Sequence, residues 1–406
     1  MPFSFFRVSR PGFRAGRRLW SSHPVVALVV ALGLILSAHG AALAQPIETA
    51  AEQAIIMDAE SGAILFEKNA EERIPPASLT LLMTAETVFD MIKRGQLSRE
   101  QEFKISEHAW RTGGAPAGGT TMFAELGSTV PVIDLLRGVI IQIANDGAIA
   151  LAEGIAGSEA AFGEQMTLRG LEVGMTDSNF VNPTGYEDPK NYSTVKDLAV
   201  LARHVIRTYP ELYKLFAEPE FTWNDITQRN KNPMLTMSSF QVDGLVIGGT
   251  SINRLGMVTS AKRGDLRLIL AFYGLPSKAA RLKEAKALLD WAFGSFEAVR
   301  LFEAGETVGE ARVFGGEKSY VPLVGEGAVI AFLEENVVKG YHGRIAYEGP
   351  VVAPVEKGQP IGNLEIVRDK AVVQKIPLFA GESVGIGGFH GKAFDALIEA
   401  VAGLWY

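Results

Sequence analysis

Apolar residues recur along this chain in two rhythms, short runs of strand length and longer stretches at helical spacing. Ala54-Ile55-Ile56-Met57-Asp58 and Ala63-Ile64-Leu65-Phe66 flank Ala59-Glu60-Ser61-Gly62, a pattern that predicts a β-hairpin. Pro75-Pro76 interrupts the chain, and a helix is expected from Ser78, with Leu82, Ala85, Val88, Phe89 and Ile92 at helical spacing. Residues 113–119 read as a Gly/Pro/Ala loop. A long apolar helical stretch is expected over 135–155, broken at Asn145-Asp146-Gly147, and another helix over 198–215. Asp243-Gly244 opens a Gly-rich segment, residues 267–273 read as a buried strand, and 279–293 as an amphipathic helix. Strands, a helical middle, more strands and a closing helix predict an α+β domain over 45–296.

The texture then changes. Over 297–388 short Val/Ile runs recur every 8–12 residues between glycines, which predicts a small all-β domain. Residues 389–406 place Phe394, Leu397, Ile398, Val401, Leu404 and Trp405 on one face of an amphipathic helix. Two readings stand for it, an anchor at a membrane interface or packing on its own β-domain. Its polar face, with Lys392, Asp395 and Glu399, is not basic, which counts against the first.

Residues 1–44 have a different character. Five arginines and no acid precede a twelve-residue apolar run, Val25 to Leu36, and Ala42-Leu43-Ala44 offers small residues for cleavage. This reads as a secretory signal peptide, because the run is too short for a bilayer core. An uncleaved N-terminal anchor is the alternative. Without that segment the balance is 34 basic against 46 acidic residues, or −12. So acidic a chain is not steered to nucleic acid and gains nothing electrostatically from an anionic lipid surface. Cysteine is absent, which excludes a disulfide scaffold, a thiol nucleophile and cysteine metal sites. His108, His204, His342 and His390 share no helix turn and read as surface or core residues, so no metal or other cofactor is expected. Asp58, Asp134 and Asp146 are isolated acids and read as structural.

Three segments carry the chemistry: Ser78-Leu79-Thr80-Leu81, Ile143-Ala144-Asn145 and Val246-Ile247-Gly248. They stand where a penicillin-recognising serine enzyme would carry S-x-x-K, S-x-N and K-T-G. With Ile74 to Ala85, Asn145-Asp146, Gly174 to Phe180, Asn182-Pro183-Thr184-Gly185 and Asp243-Gly244-Leu245, residues 54–296 resemble the periplasmic serine D-alanyl-D-alanine carboxypeptidases. These are low-molecular-mass penicillin-binding proteins of the peptidase S11 group. The β-domain and terminal helix are similar to that family's C-terminal domain and membrane anchor.

The resemblance implies a β-lactamase/transpeptidase-like fold and a serine that acylates on a peptidoglycan stem peptide, releasing the terminal D-Ala. Penicillins would acylate the same serine. It implies the periplasm, or the periplasmic surface of the inner membrane, as the location. It places Ser78 as nucleophile, Leu81 where the general-base lysine belongs, Ile143 where a proton-relaying serine belongs, and Asn145 on the substrate amide. Val246 stands at the position of a cation and Ile247 at that of a hydroxyl. With Gly248 and Thr250 these line the substrate side, and Lys231 and Arg281 align with basic positions that help hold the substrate carboxylate. Arg254 replaces a small residue.

A serine hydroxyl is a poor nucleophile until a base takes its proton. Loss of a general base typically costs about 10²–10⁴-fold, and leucine, isoleucine and valine move no proton. Glu86, eight positions past Ser78, lies more than two helical turns away. Ser78 then reads either as a nucleophile or only as a helix N-cap, and Asn145 either as a site residue or as a turn residue. Three roles stay open: an impaired member that binds peptidoglycan or a cell-wall partner, a working carboxypeptidase with an unrecognised base, and a deliberately altered enzyme.

Overall fold

The computed structural model describes residues 47–334, 340–368 and 370–388. The expected signal peptide and terminal amphipathic helix lie outside the described residues.

The predicted hairpin is present as β1 (Gln53–Asp58) and β2 (Ile64–Lys68), paired antiparallel. Its turn is fastened by the buried Asp58, which accepts from the Ser61 backbone N–H at 2.7 Å and from its hydroxyl at 2.5 Å. A 3-10 turn over Ala77–Thr80 leads into α1 (Leu81–Lys93). A small pair, β3 (Glu102–Lys104) and β4 (Thr129–Pro131), precedes the helical middle. That middle comprises α2 (Val132–Gln142), α3 (Asn145–Ala156), α4 (Glu159–Val173), α5 (Val195–Thr208) and the short α6 (Pro210–Tyr213). A hairpin, β5 (Glu220–Trp223) with β6 (Ile226–Arg229), leads to β7 (Gln241–Gly249), β8 (Leu255–Arg263) and β9 (Leu266–Leu275). Helix α7 (Lys278–Ser295) closes this part.

The main sheet has the order β2-β1-β9-β8-β7, with every neighbour antiparallel. Both faces are covered, and the side-chain period of two divides them. On β9, Ile269, Ala271 and Tyr273 belong to the core under the helical middle. Leu268, Leu270 and Phe272 belong to the core shared with Ala285, Leu288, Leu289 and Ala292 of α7. This is why 267–273 reads as a continuous apolar run rather than an alternating one.

After α7 the chain is β throughout its described residues. It forms β10 (Phe296–Phe302), β11 (Thr307–Phe314), β12 (Tyr320–Val324), β13 (Val329–Glu334), β14 (Tyr341–Tyr347), β15 (Val351–Val352), β16 (Pro360–Arg368) and β17 (Ala371–Ala380). Strand β10 pairs with β13, and the rest form a six-stranded sheet of order β14-β16-β17-β12-β11-β15. The α+β class followed by a small all-β unit is therefore as expected. No helix among the described residues is long and apolar enough to cross a membrane.

Two local expectations are corrected. The α2–α3 break falls at Ile143-Ala144, not at Asn145-Asp146-Gly147, which form the first turn of α3. Ser78 is not an N-cap: it lies second in the 3-10 turn, and α1 starts three residues later behind Thr80 without any side-chain cap.

Candidate active site

Pro75-Pro76 cannot continue a helix backward, and Ala77 takes the left-handed region at φ 47°. That conformation costs an alanine roughly 1–2 kcal/mol, so neighbours must impose it. Gly185 is one such neighbour: a β-carbon there would lie 1.8 Å from the Ala77 carbonyl oxygen. The loop carrying Gly185 is itself tied down. Asn182 accepts from the Gly185 backbone N–H at 2.7 Å, and the Thr84 hydroxyl of α1 donates to the Pro183 carbonyl at 2.6 Å. The chain therefore presents Ser78 from a braced turn. Ser78 is half-buried, and its hydroxyl has no hydrogen-bond partner among the described residues.

Leu81, at the start of α1, is 2 % exposed and belongs to the core under the helical middle. Ile143, which ends α2, is 7 % exposed and stands at φ 57°, ψ 39°. A β-branched residue in that region is a genuine outlier. Its carbonyl accepts from the Thr120 hydroxyl at 2.6 Å, while the Asn145 N–H donates to the Thr120 carbonyl at 3.0 Å. Asp146 fastens the same loop. It accepts from the Thr121 hydroxyl at 2.6 Å and from the backbone N–H groups of Met122, Ala124 and Gly147. Burial pushes its carboxyl above the ordinary range against the pull of those donors. Gly113 lets this turn close, since a β-carbon there would lie 2.5 Å from the Asp146 nitrogen.

Asn145 is buried and heads α3, so it is not a turn residue. Its amide faces the phenol of Tyr186, which donates to the Thr112 carbonyl at 2.6 Å. Tyr186 adjoins Gly185 and so links the second segment to the Ala77 turn. Sequence reasoning passed over it, although it directly follows the quoted Asn182-Pro183-Thr184-Gly185 run.

On β7, Val246, Ile247 and Gly248 stand opposite Val258, Met257 and Gly256 of β8. Val246 is 5 % exposed. Gly248 packs on the first segment, and a β-carbon there would lie 2.7 Å from the Leu79 nitrogen. The first and third segments therefore touch through backbone. Arg281 reaches up from α7 with long contacts to the carbonyls of Gly248 (3.4 Å) and Gly256 (3.5 Å). It is 5 % exposed, its Nε has no partner, and it has no carboxylate partner among the described residues. Burial lowers its pKa. Lys231 is exposed, and its backbone N–H donates to the Ile141 carbonyl at 3.0 Å, close to the α2 end. The Thr250 N–H donates to the Arg254 carbonyl at 3.2 Å, and Arg254 pairs with Glu52.

A cavity of about 370 Å³ opens beside this junction, lined by Ala77, Tyr186 and Thr250 among others, with Ile252 at its rim. Two buried acids, Glu86 and Asp146, lie in this core, and neither contacts Ser78. Glu86, more than two helical turns past Ser78, accepts through Oε1 from Arg169 at 3.0 Å and from the Tyr209 hydroxyl at 2.9 Å, while its Oε2 has no partner among the described residues; Asp146 is saturated by its loop. The arrangement sets the turn that carries Ser78 beside the cavity, through Ala77. It offers the serine no evident proton acceptor.

Residues 40–276 match the family described as D-alanyl-D-alanine carboxypeptidase, and 296–385 match the C-terminal domain of penicillin-binding protein 5. D-alanyl-D-alanine carboxypeptidase DacA of Haemophilus influenzae is 36% identical over 366 residues, which is 89% of this chain and 92% of that protein. DacC of Escherichia coli is 36% identical over 84% of this chain and 86% of its own length. The crystal structure of penicillin binding protein 5 from Haemophilus influenzae superposes with a TM-score of 0.70 at 35% identity, covering 84% of this chain and 99% of that one. Sequence and fold agree along nearly the whole described length, and this chain belongs to the D-alanyl-D-alanine carboxypeptidase family, the penicillin-binding proteins of the peptidase S11 group.

Proposed function

We propose that this protein is a catalytically impaired member of its family, a pseudoenzyme that binds peptidoglycan stem peptides in the periplasm. One observation carries the reading. The Ser78 hydroxyl has no partner able to take its proton, and the positions of the two motif lysines and the relay serine hold Leu81, Val246 and Ile143, all buried. Hydrolysis would need Ser78 to lose a proton during attack and a second group to protonate the leaving amine. Aliphatic side chains do neither, and at these three positions they put no charge into the buried niche.

The binding part of the reading rests on other residues. Asn145 heads α3, Gly248 packs closely on Leu79, and Arg281 brings an uncompensated guanidinium to the sheet beneath. With Lys231, Ile247 and Thr250 these residues are assigned to the peptide and its terminal carboxylate. A role as a non-catalytic scaffold for other cell-wall proteins follows if peptide binding fails.

The test is to incubate the full chain with a fluorescent penicillin and, separately, with peptidoglycan sacculi. The expected result is no covalent labelling, no D-alanine released from a muropeptide, and retention on sacculi. Labelling abolished by Ser78→Ala would overturn the impaired reading in favour of a working serine carboxypeptidase.

A further inference from the structure

We propose that a cavity between α1, α5 and the β12–β13 loop is a binding site for a phosphate-bearing anion. It shares no residue with the cavity near Ser78 and does not depend on the reading of that site. Its volume is about 600 Å³, and its lining includes Lys93, Arg203, His204, Arg207, Thr208 and Glu326. Three of these are permanent cations at neutral pH, against one acid. In a chain of net charge −7 that is a local reversal of sign.

The cations differ in how far they are committed. Arg203 is nearly used up: it donates to the carbonyls of Ala59 (3.0 Å) and Glu60 (2.5 Å) and pairs with Glu326. Arg207 donates to the carbonyls of Glu60 (3.0 Å) and Glu326 (3.3 Å), and lies 3.5 Å from the Glu326 carboxylate, but its Nε is unused. Lys93 has no carboxylate partner among the described residues; its ammonium lies 5.5 Å from the centre of the Tyr209 ring. The acids on its own helix are held elsewhere. Glu86 pairs with Arg169, and Asp90 with Arg94 and Arg169. Thr208 adds a hydroxyl whose one hydrogen-bond contact among the described residues is long, 3.4 Å to His204 Nδ1.

His204 Nε2 is engaged by Arg169 at 3.2 Å and lies 3.3 Å from Glu86, so the donors left over are an ammonium, one guanidinium N–H and one hydrogen of the Thr208–His204 pair, all from residues lining one polar cavity. Such a set suits a tetrahedral dianion, whose oxygens accept several charge-assisted bonds at once. The volume leaves room for the polar group that carries the phosphate. A soluble phosphorylated metabolite and a lipid headgroup share this chemistry.

The experiment titrates the full chain with glycerol 3-phosphate and, in a second arm, with phosphatidylglycerol vesicles against phosphatidylcholine vesicles. Saturable, salt-sensitive binding is expected in at least one arm, weakened about tenfold or more by Lys93→Gln with an unchanged melting temperature. Arg207→Gln should weaken it similarly. Because Arg207 also braces the β1–β2 turn, Lys93→Gln is the deciding variant. Binding confined to the soluble probe identifies a free phosphate source, and binding confined to anionic vesicles a headgroup. The proposal is overturned by no saturable binding in either arm, or by binding that Lys93→Gln leaves intact.

Discussion

Gly185 lies so close to Ala77 that a β-carbon on the glycine would meet the alanine carbonyl oxygen at 1.8 Å. Gly185 also has a φ of +77°, so a side chain there would be strained even in open space. Gly185→Ala should cost about 3 kcal/mol or more in urea unfolding. Because the displaced turn carries Ser78, retention on sacculi should fall as well. Unchanged stability would show that this contact does not brace the turn.

Ile143 supplies a second test. It is buried in a backbone conformation that disfavours β-branched residues. Ile143→Gly removes a core side chain but also relieves roughly 1–2 kcal/mol of left-handed strain. Ile141→Gly, at a fully buried position inside α2, removes the same side chain with no such relief. Ile143→Gly should therefore be the milder substitution by about 1–2 kcal/mol in equilibrium unfolding. Equal costs would mean that the strain is not felt.

The backbone of the site should outlast its chemistry. Leu81→Lys alone should destabilise the protein, because it buries a cation where only 2 % of the side chain is exposed. Leu81→Lys combined with Ile143→Ser, Val246→Lys and Ile247→Thr should gain covalent labelling by fluorescent penicillin that the parent lacks. A folded quadruple variant that stays unlabelled would show that the segments no longer meet in a productive geometry.

Asp146 predicts a pH dependence. Burial raises its pKa above the ordinary value of 3.8 in the folded protein, while the unfolded chain titrates near that value. Between the two values the folded state binds more protons, so the contribution of Asp146 to stability falls as pH rises through that window. Asp146→Asn removes the titration. The stability of wild type minus that of the variant should decline from pH 3.8 upward and then level off. A difference that grows with pH would contradict the assignment.

The elements with strong periodicity were legible in the sequence. The β1–β2 hairpin, the strand over 267–273 and α7 all lie where their patterns place them. The order of the three motif segments was legible as well, and it carried the family. What local signals could not convey was backbone imposed from a distance. Asn145-Asp146-Gly147 is rich in turn residues, yet the Thr121 hydroxyl and the neighbouring amides satisfy Asp146 inside a helix, so the chain bends two residues earlier at an isoleucine. Ser78 has the residue type of an N-cap, but the left-handed Ala77 against Gly185 sets a 3-10 turn first. Tyr186 and the carboxylate–guanidinium pair of Glu86 and Arg169 involve partners far apart in sequence, which no spacing rule joins.

The guanidiniums of α5 have a consequence for dissecting this protein. Arg203 and Arg207 hold the turn between β1 and β2 with some of their nitrogens, and with others they hold Glu326 in the loop between β12 and β13. A truncated chain ending after α7 would strip both arginines of their carboxylate and expose part of the apolar core that α7 shares with the strands beyond it. Residues 296–388 are thus not a detachable appendage, and a shortened version made to study Ser78 by itself would report on a loosened sheet instead of the native one.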